Sequence, residues 1–173
     1  DCDFHTSHLL RKKPLNSVFN TLSEVIFADR QLEDDLLLEI ERLLEKGLDV
    51  NLQNKNGWTA LMYAVNNNNF EIINILLKYD AKVDLQNING WTPLMYAVYN
   101  INFEIINLLL ESGAEIDLQD NTNDWTTLMY AVYNRSWKIV NLLLERGADP
   151  HILNNIGDNA LSIACHRHNK YES

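Results

Sequence analysis

The stretch NGWTALMYAVNNNNFEIINILLKYDAKVDLQNINGWTPLMYAV, residues 56–98, opens and closes on almost the same ten residues. That string returns as NDWTTLMYAV from Asn123, and a degraded copy, IGDNALSIAC, starts at Ile156. Trp58, Trp91 and Trp125 therefore stand 33 and 34 residues apart. The extra residue falls between Asp120 and Trp125, in a polar turn where added length costs little. The second halves recur in phase, as FEIINILLKYDAKVDLQN from Phe70, FEIINLLLESGAEIDLQD from Phe103 and WKIVNLLLERGADPHILN from Trp137. An earlier copy, LEIERLLEKGLDVNLQN, begins at Leu38, and Met62, Met95 and Met129 all occupy one repeat position. Self-similarity at this period means stacked units rather than a core assembled from distant segments.

Each unit reads as two helices and a turn. Thr59, Thr92 and Thr126 are placed as N-caps, and Pro93 follows one of them at N1, where its missing N–H costs nothing. Leu61, Ala64 and Val65 share one side of the first helix, and Ile72, Ile73, Leu76 and Leu77 form one stripe on the second. Gly47, Gly113 and Gly147 are placed to stop the second helix in a left-handed conformation, with Asp80 in that role once. Short extended arms such as residues 83–86 then lead into an Asn/Gly turn. No unit can bury its apolar faces alone.

These motifs carry a family resemblance. The 33-residue period, TPLMYA at residues 92–97 and RGADP at residues 146–150 resemble ankyrin repeats. The resemblance covers residues 32–168 and implies an all-α solenoid of stacked helix-turn-helix units with short β-hairpin turns. The chain divides into a polar lead-in (1–16), a modified N-terminal capping helix (17–31), a partial first repeat (32–53), three full repeats (54–86, 87–119, 120–153) and a partial C-terminal repeat (154–173). This last unit either caps the stack or marks where a longer protein was cut. Four departures from the family pattern stand out: the modified capping helix, the last unit stopping after its first helix, and two substitutions. The usual first-helix His is replaced by Met62, Met95, Met129 and Ser162. The glycine that usually ends the first helix is replaced by Asn68, Ile101, Arg135 and His168. At Ile101, either the loop is rearranged or strain of roughly a kcal/mol or more is stored.

Composition narrows the functional classes. Fourteen Lys and Arg against 24 Asp and Glu leave a net charge of −10, the wrong sign for gripping a phosphate backbone. No apolar run approaches the roughly 20 residues of a membrane helix. Cys2 and Cys165 lack the spacing of a disulfide framework or zinc knuckle. The expectation is a monomer in a reducing cytoplasm, or a secreted effector delivered to a host cytosol. The opening Asp1, with no apolar leader, reads as a fragment or a processed form. The abundance of Asn, including residues 66–69, is read as a coding bias. His166 and His168 do not share a helix face, so with Cys165 they make a poor metal set, and no metal or other cofactor is expected. No nucleophile elbow, Walker loop or HExxH is present, and the chain reads as non-catalytic.

The resemblance implies binding of a protein or peptide partner through a concave face. Its variable positions map onto Trp58, Trp91, Trp125 and Asp158 before the caps, with Lys55 and Asn89 in the turns. Asn66 and Asn67, Tyr99 and Asn100, Tyr133 and Asn134, and Arg167 lie at the end of the first helices. Three Trp and two Tyr ringed by Asn have the composition of an interaction hot spot. The competing reading is a packing ladder, in which the tryptophans only stack repeat on repeat. If the row is a binding site, truncating Trp91 should leave thermal stability nearly unaltered. Tyr63, Tyr96 and Tyr130, one residue before the buried Ala, read as packing between repeats and fall outside the site. Two other functions are an aromatic cage for a modified lysine or quaternary ammonium and a regulatory ankyrin domain of a larger protein.

Overall fold

The computed structural model describes residues 33–169. The lead-in and the capping helix expected at 17–31 lie outside the described residues. Within them the chain forms eight helices: α1 (Glu33–Glu45), α2 (Ala60–Asn66), α3 (Phe70–Lys78), α4 (Pro93–Tyr99), α5 (Phe103–Glu111), α6 (Thr127–Tyr133), α7 (Trp137–Glu145) and α8 (Ala160–Asn169). First helices stack on first helices, α2 on α4, α4 on α6 and α6 on α8, while each pairs with its own second helix.

Local chemistry sets the boundaries. The hydroxyls of Thr59, Thr92 and Thr126 accept from the amides of Met62, Met95 and Met129 at 3.1, 3.2 and 3.3 Å. Asn69 and Asn102 cap α3 and α5 in the same way, accepting from the amides of Ile72 and Ile105. Between the helices Asn68, Ile101 and Arg135 take φ of 55°, 57° and 57°. The loop is thus the same in all three repeats, and Ile101 holds the strained conformation instead of escaping it. Gly47, Gly113 and Gly147 end their helices at φ of 84°, 88° and 94°.

The apolar stripes close into one core. Leu61, Leu94 and Leu128 are buried at equivalent positions, as are Ile72 and Ile105, Ile73 and Ile106, and Leu76 and Leu109. Beyond the second helices the expected extended arms do not form regular β-hairpins. No strand is present among the described residues, where the one isolated bridge joins Gln119 and Thr126. Each hairpin is closed by a backbone bond from the amides of Asn54, Asn87, Asp120 and Asn154 to the carbonyls of Trp58, Trp91, Trp125 and Asp158, and in three of them the turn glycine amide (Gly57, Gly90, Gly157) also donates back to the base asparagine carbonyl. Pairing passes instead from one hairpin to the next. The amides of Ile88, Asn121 and Asn155 donate to the carbonyls of Asn56, Asn89 and Asn123 at 3.1, 2.9 and 3.1 Å. That approach explains Gly57, where a Cβ would sit 2.8 Å from the Asn87 Cα, and Gly90, where it would overlap the Asn121 amide nitrogen.

Two stability outcomes follow from this packing. Leu109→Ala, deep in a central repeat, lowers stability by about 2–5 kcal/mol in denaturant titration. A loss under half a kcal/mol is incompatible with its burial. Thr127 occupies the position of Pro93 and is buried, with a hydroxyl that has no partner among the described residues. Thr127→Pro removes that orphan and pre-sets the first helical turn, so the melting midpoint rises, by an amount equivalent to about 1 kcal/mol.

Candidate functional site

The residue before each cap threonine cannot enter the core, because the chain there is leaving the hairpin. Its ring lies instead along the seam between hairpins and first helices. Trp58 packs against Tyr63 of its own repeat and Tyr96 of the next, both with centroids 4.7 Å apart. Trp91 repeats the pattern with Tyr96 at 4.9 Å and Tyr130 at 4.8 Å, and Trp125 meets Tyr130 at 5.2 Å. The result is one unbroken aromatic ladder, with the rings tilted by 38–59°. All three tryptophans are half-buried. Tyr96 and Tyr130 pack between repeats, as expected, whereas Tyr63 meets Trp58 of its own repeat, and all three are rungs that hold the tryptophans.

Tyr99 and Tyr133 stand outside the ladder. They meet Trp91 and Trp125 edge-on, at 5.7 and 5.2 Å with interplanar angles of 68° and 66°, and remain 58% and 46% exposed. Each pair makes a corner, an indole and a phenol ring set steeply to each other. In the preceding repeat Asn66 replaces the second tyrosine, so Trp58 lacks that phenol.

The asparagines divide between surface and scaffold. Asn66, Asn67 and Asn89 are exposed, as is Lys55. Asn67, Asn100 and Asn134 end α2, α4 and α6, and the Asn100 side chain donates to the Asn66 carbonyl at 3.0 Å. Asp158, half-buried, lies 3.5 Å from His166 Nδ1. Arg167 belongs to α8, and its side chain lies outside the described residues. The expected row therefore comes together at Trp91, Trp125, Tyr99 and Tyr133, whereas Lys55 and Asn89 sit out on the turns.

Reading the asparagines as coding bias missed their main structural use. Asn54, Asn87 and Asn154 aim Oδ1 back at two hairpin amides each, at 2.8–3.1 Å. The Nδ2 groups of Asn54 and Asn87 donate to the Tyr63 and Tyr96 hydroxyls at 2.9 and 2.8 Å. Asp120 replaces Asn in the lengthened turn, and the polarity reverses: the Tyr130 hydroxyl donates to Asp120 Oδ2 at 2.7 Å. Gln53, Gln86 and Gln119 each bridge to a backbone carbonyl of the following hairpin. The recurring LQN and LQD strings before each turn were the available signal.

Burial raises the Tyr96 phenol to about 12. Burial, reinforced by acceptance at Asp120, pushes Tyr130 up further. Because both folded-state values exceed that of the unfolded chain, the contribution is intact below pH about 10 and is lost as pH rises through about 12. Tyrosinate absorbance is expected to show a late-titrating component, which Asp120→Asn shifts to lower pH by removing the carboxylate acceptor. A titration unchanged by Asp120→Asn would contradict the bond.

Among the described residues no helix is long and apolar enough to cross a membrane, and no group of three metal-binding side chains assembles. Profiles for ankyrin repeats match residues 36–120 (three copies) and 115–164 (many copies). An ankyrin repeat protein of Acanthamoeba polyphaga mimivirus is 50% identical over 42 residues, covering 24% of this chain and 10% of that protein. The human ankyrin repeat domain-containing protein 40 is 46% identical over 44 residues, covering 25% and 12%, and the bovine mitochondrial disaggregase 46% over 43 residues, covering 25% and 6%. The matched segment is thus a small fraction of each relative's length. With its profile matches running from residue 36 to residue 164, and the capped, stacked helix pairs beneath them, the chain belongs to the ankyrin repeat family.

Proposed function

We propose that the chain is a non-catalytic binding module that grips a protein or peptide along the aromatic seam. Ankyrin repeats are generally protein–protein interaction modules. The observation that carries the finer reading is the pair of corners, Trp91 with Tyr99 and Trp125 with Tyr133. Large rings that need not be exposed for packing stand in solvent on a rigid base. Rigid aromatic anchors bind with little ordering cost. The row supports an elongated partner over a caged cation, since a cage needs rings converging on one point.

The ladder changes which variants are informative. Trp91 touches Tyr96, Tyr99 and Tyr130, so Trp91→Ala lowers stability by about 2 kcal/mol or more instead of leaving it unaltered. Tyr99→Ala with Tyr133→Ala is the cleaner probe, as both rings are largely exposed and the stability cost stays below about 1 kcal/mol per site. Peptides selected from a random library on the whole chain should lose about 2 kcal/mol or more of affinity for this double variant. Equal binding to both proteins would overturn the aromatic seam as the site.

A further inference from the structure

The register before the cap threonines reads Trp58, Trp91, Trp125 and then Asp158. Three indoles are followed by a carboxylate in the same place on the last hairpin. Consecutive tryptophans are joined through one tyrosine, at 4.7 and 4.9 Å and then at 4.8 and 5.2 Å, which holds their separation to no more than about 10 Å, and stacked helices lie about 8–10 Å apart. A polyproline II helix advances about 9.3 Å per turn, three residues at roughly 3.1 Å each. Its side chains at every third position therefore keep step with the repeats. An α-helix brings a face back after two turns, about 10.8 Å and beyond that bound, and a strand repeats a face every ~6.8 Å, short of the spacing of stacked helices.

We infer, resting on the seam as the binding site, that its partner is an extended polyproline II segment with prolines three residues apart and a Lys or Arg three further on. The prolines fill the corners made by Trp91 with Tyr99 and Trp125 with Tyr133. The cation reaches Asp158, with exposed Asp124 beside Trp125 adding to the same charge. His166 lies 3.5 Å from one oxygen of the Asp158 carboxylate, whose side chain is 21% exposed. The net charge of −10 favours a basic segment over an acidic one. Polyproline II carbonyls have no internal partners, and the exposed Tyr99 phenol supplies a donor to them. Because the segment holds this conformation before binding, it loses little entropy on docking.

The test uses the whole chain and fluorescein-labelled synthetic peptides built on Pro-Ala-Ser-Pro-Ala-Ser-Arg, in forward and reversed order, since spacing is set and direction is not. At least one order should bind tenfold or more tighter than a scrambled peptide of equal composition. Arg replaced by Glu in the peptide should weaken binding about two- to fivefold at low salt, and Asp158→Asn should remove most of that preference. Tyr99→Ala with Tyr133→Ala should weaken the best peptide at least tenfold. Scrambled and periodic peptides binding alike would overturn the inference. So would failure of both orders while library-selected peptides still require Tyr99 and Tyr133, a result that leaves the seam standing as the site. Library peptides indifferent to those tyrosines would overturn both.

Discussion

The stacking of Trp58 and Trp91 on a tyrosine of the following repeat is the contact on which both architecture and surface depend. A solenoid has no distant segments to lock it, so every repeat is held only by its neighbours. Here the core leucines and isoleucines supply burial, but they are interchangeable between repeats and do little to fix rotation. The ring ladder adds directional contacts at the seam, and its phenols are tied to the hairpin-base carboxamides. Tyr96 shows this most fully, touching Trp58 and Trp91 while accepting from Asn87. Shifting a hairpin by one residue would break all three contacts together.

The same ladder unites the two readings that the sequence sets against each other. A ring half-buried between tyrosines is a structural element, yet its uncovered face is a surface of fixed shape. Holding that surface rigid is what makes it suited to binding, because a partner then meets anchors already in place. Strain is stored in the interhelix loop at Ile101, a β-branched residue held at φ 57° and 57% exposed between Tyr99 and Phe103. A glycine there would relieve strain but remove an exposed apolar side chain.

The repeat period, cap threonines, stop glycines and buried stripes were legible in the sequence because each follows from local spacing that one repeat contains. The position of Leu109 in the core needed only a 3.6-residue periodicity and the knowledge that repeats stack. Ring contacts were not legible in the same way. Whether Trp91 faces solvent or the Tyr130 ring depends on the rotation between neighbouring repeats, which no single repeat encodes. The buried role of Asn87 was hidden for another reason. Among so many surface asparagines, composition masks the few whose side chains replace backbone partners.

The lengthened third turn shows how strictly the ladder is kept. Its extra residue would displace Trp125 if the hairpin base moved, yet the Asp120 amide still donates to the Trp125 carbonyl at 3.0 Å. Asp120 Oδ1 takes the amides of Thr122 and Asn123, absorbing the insertion in the tip. Asp124 then adopts φ 54°, a conformation glycine provides in the other turns. Asn123 still presents its carbonyl to the Asn155 amide, so the next hairpin finds its usual partner. Replacing Asn by Asp at this base reverses the bond to tyrosine without breaking it, because a phenol can donate as readily as accept. The turn sequence is free to vary only where the seam does not feel it, and what is held constant through the insertion is the placing of Trp125 against Tyr130.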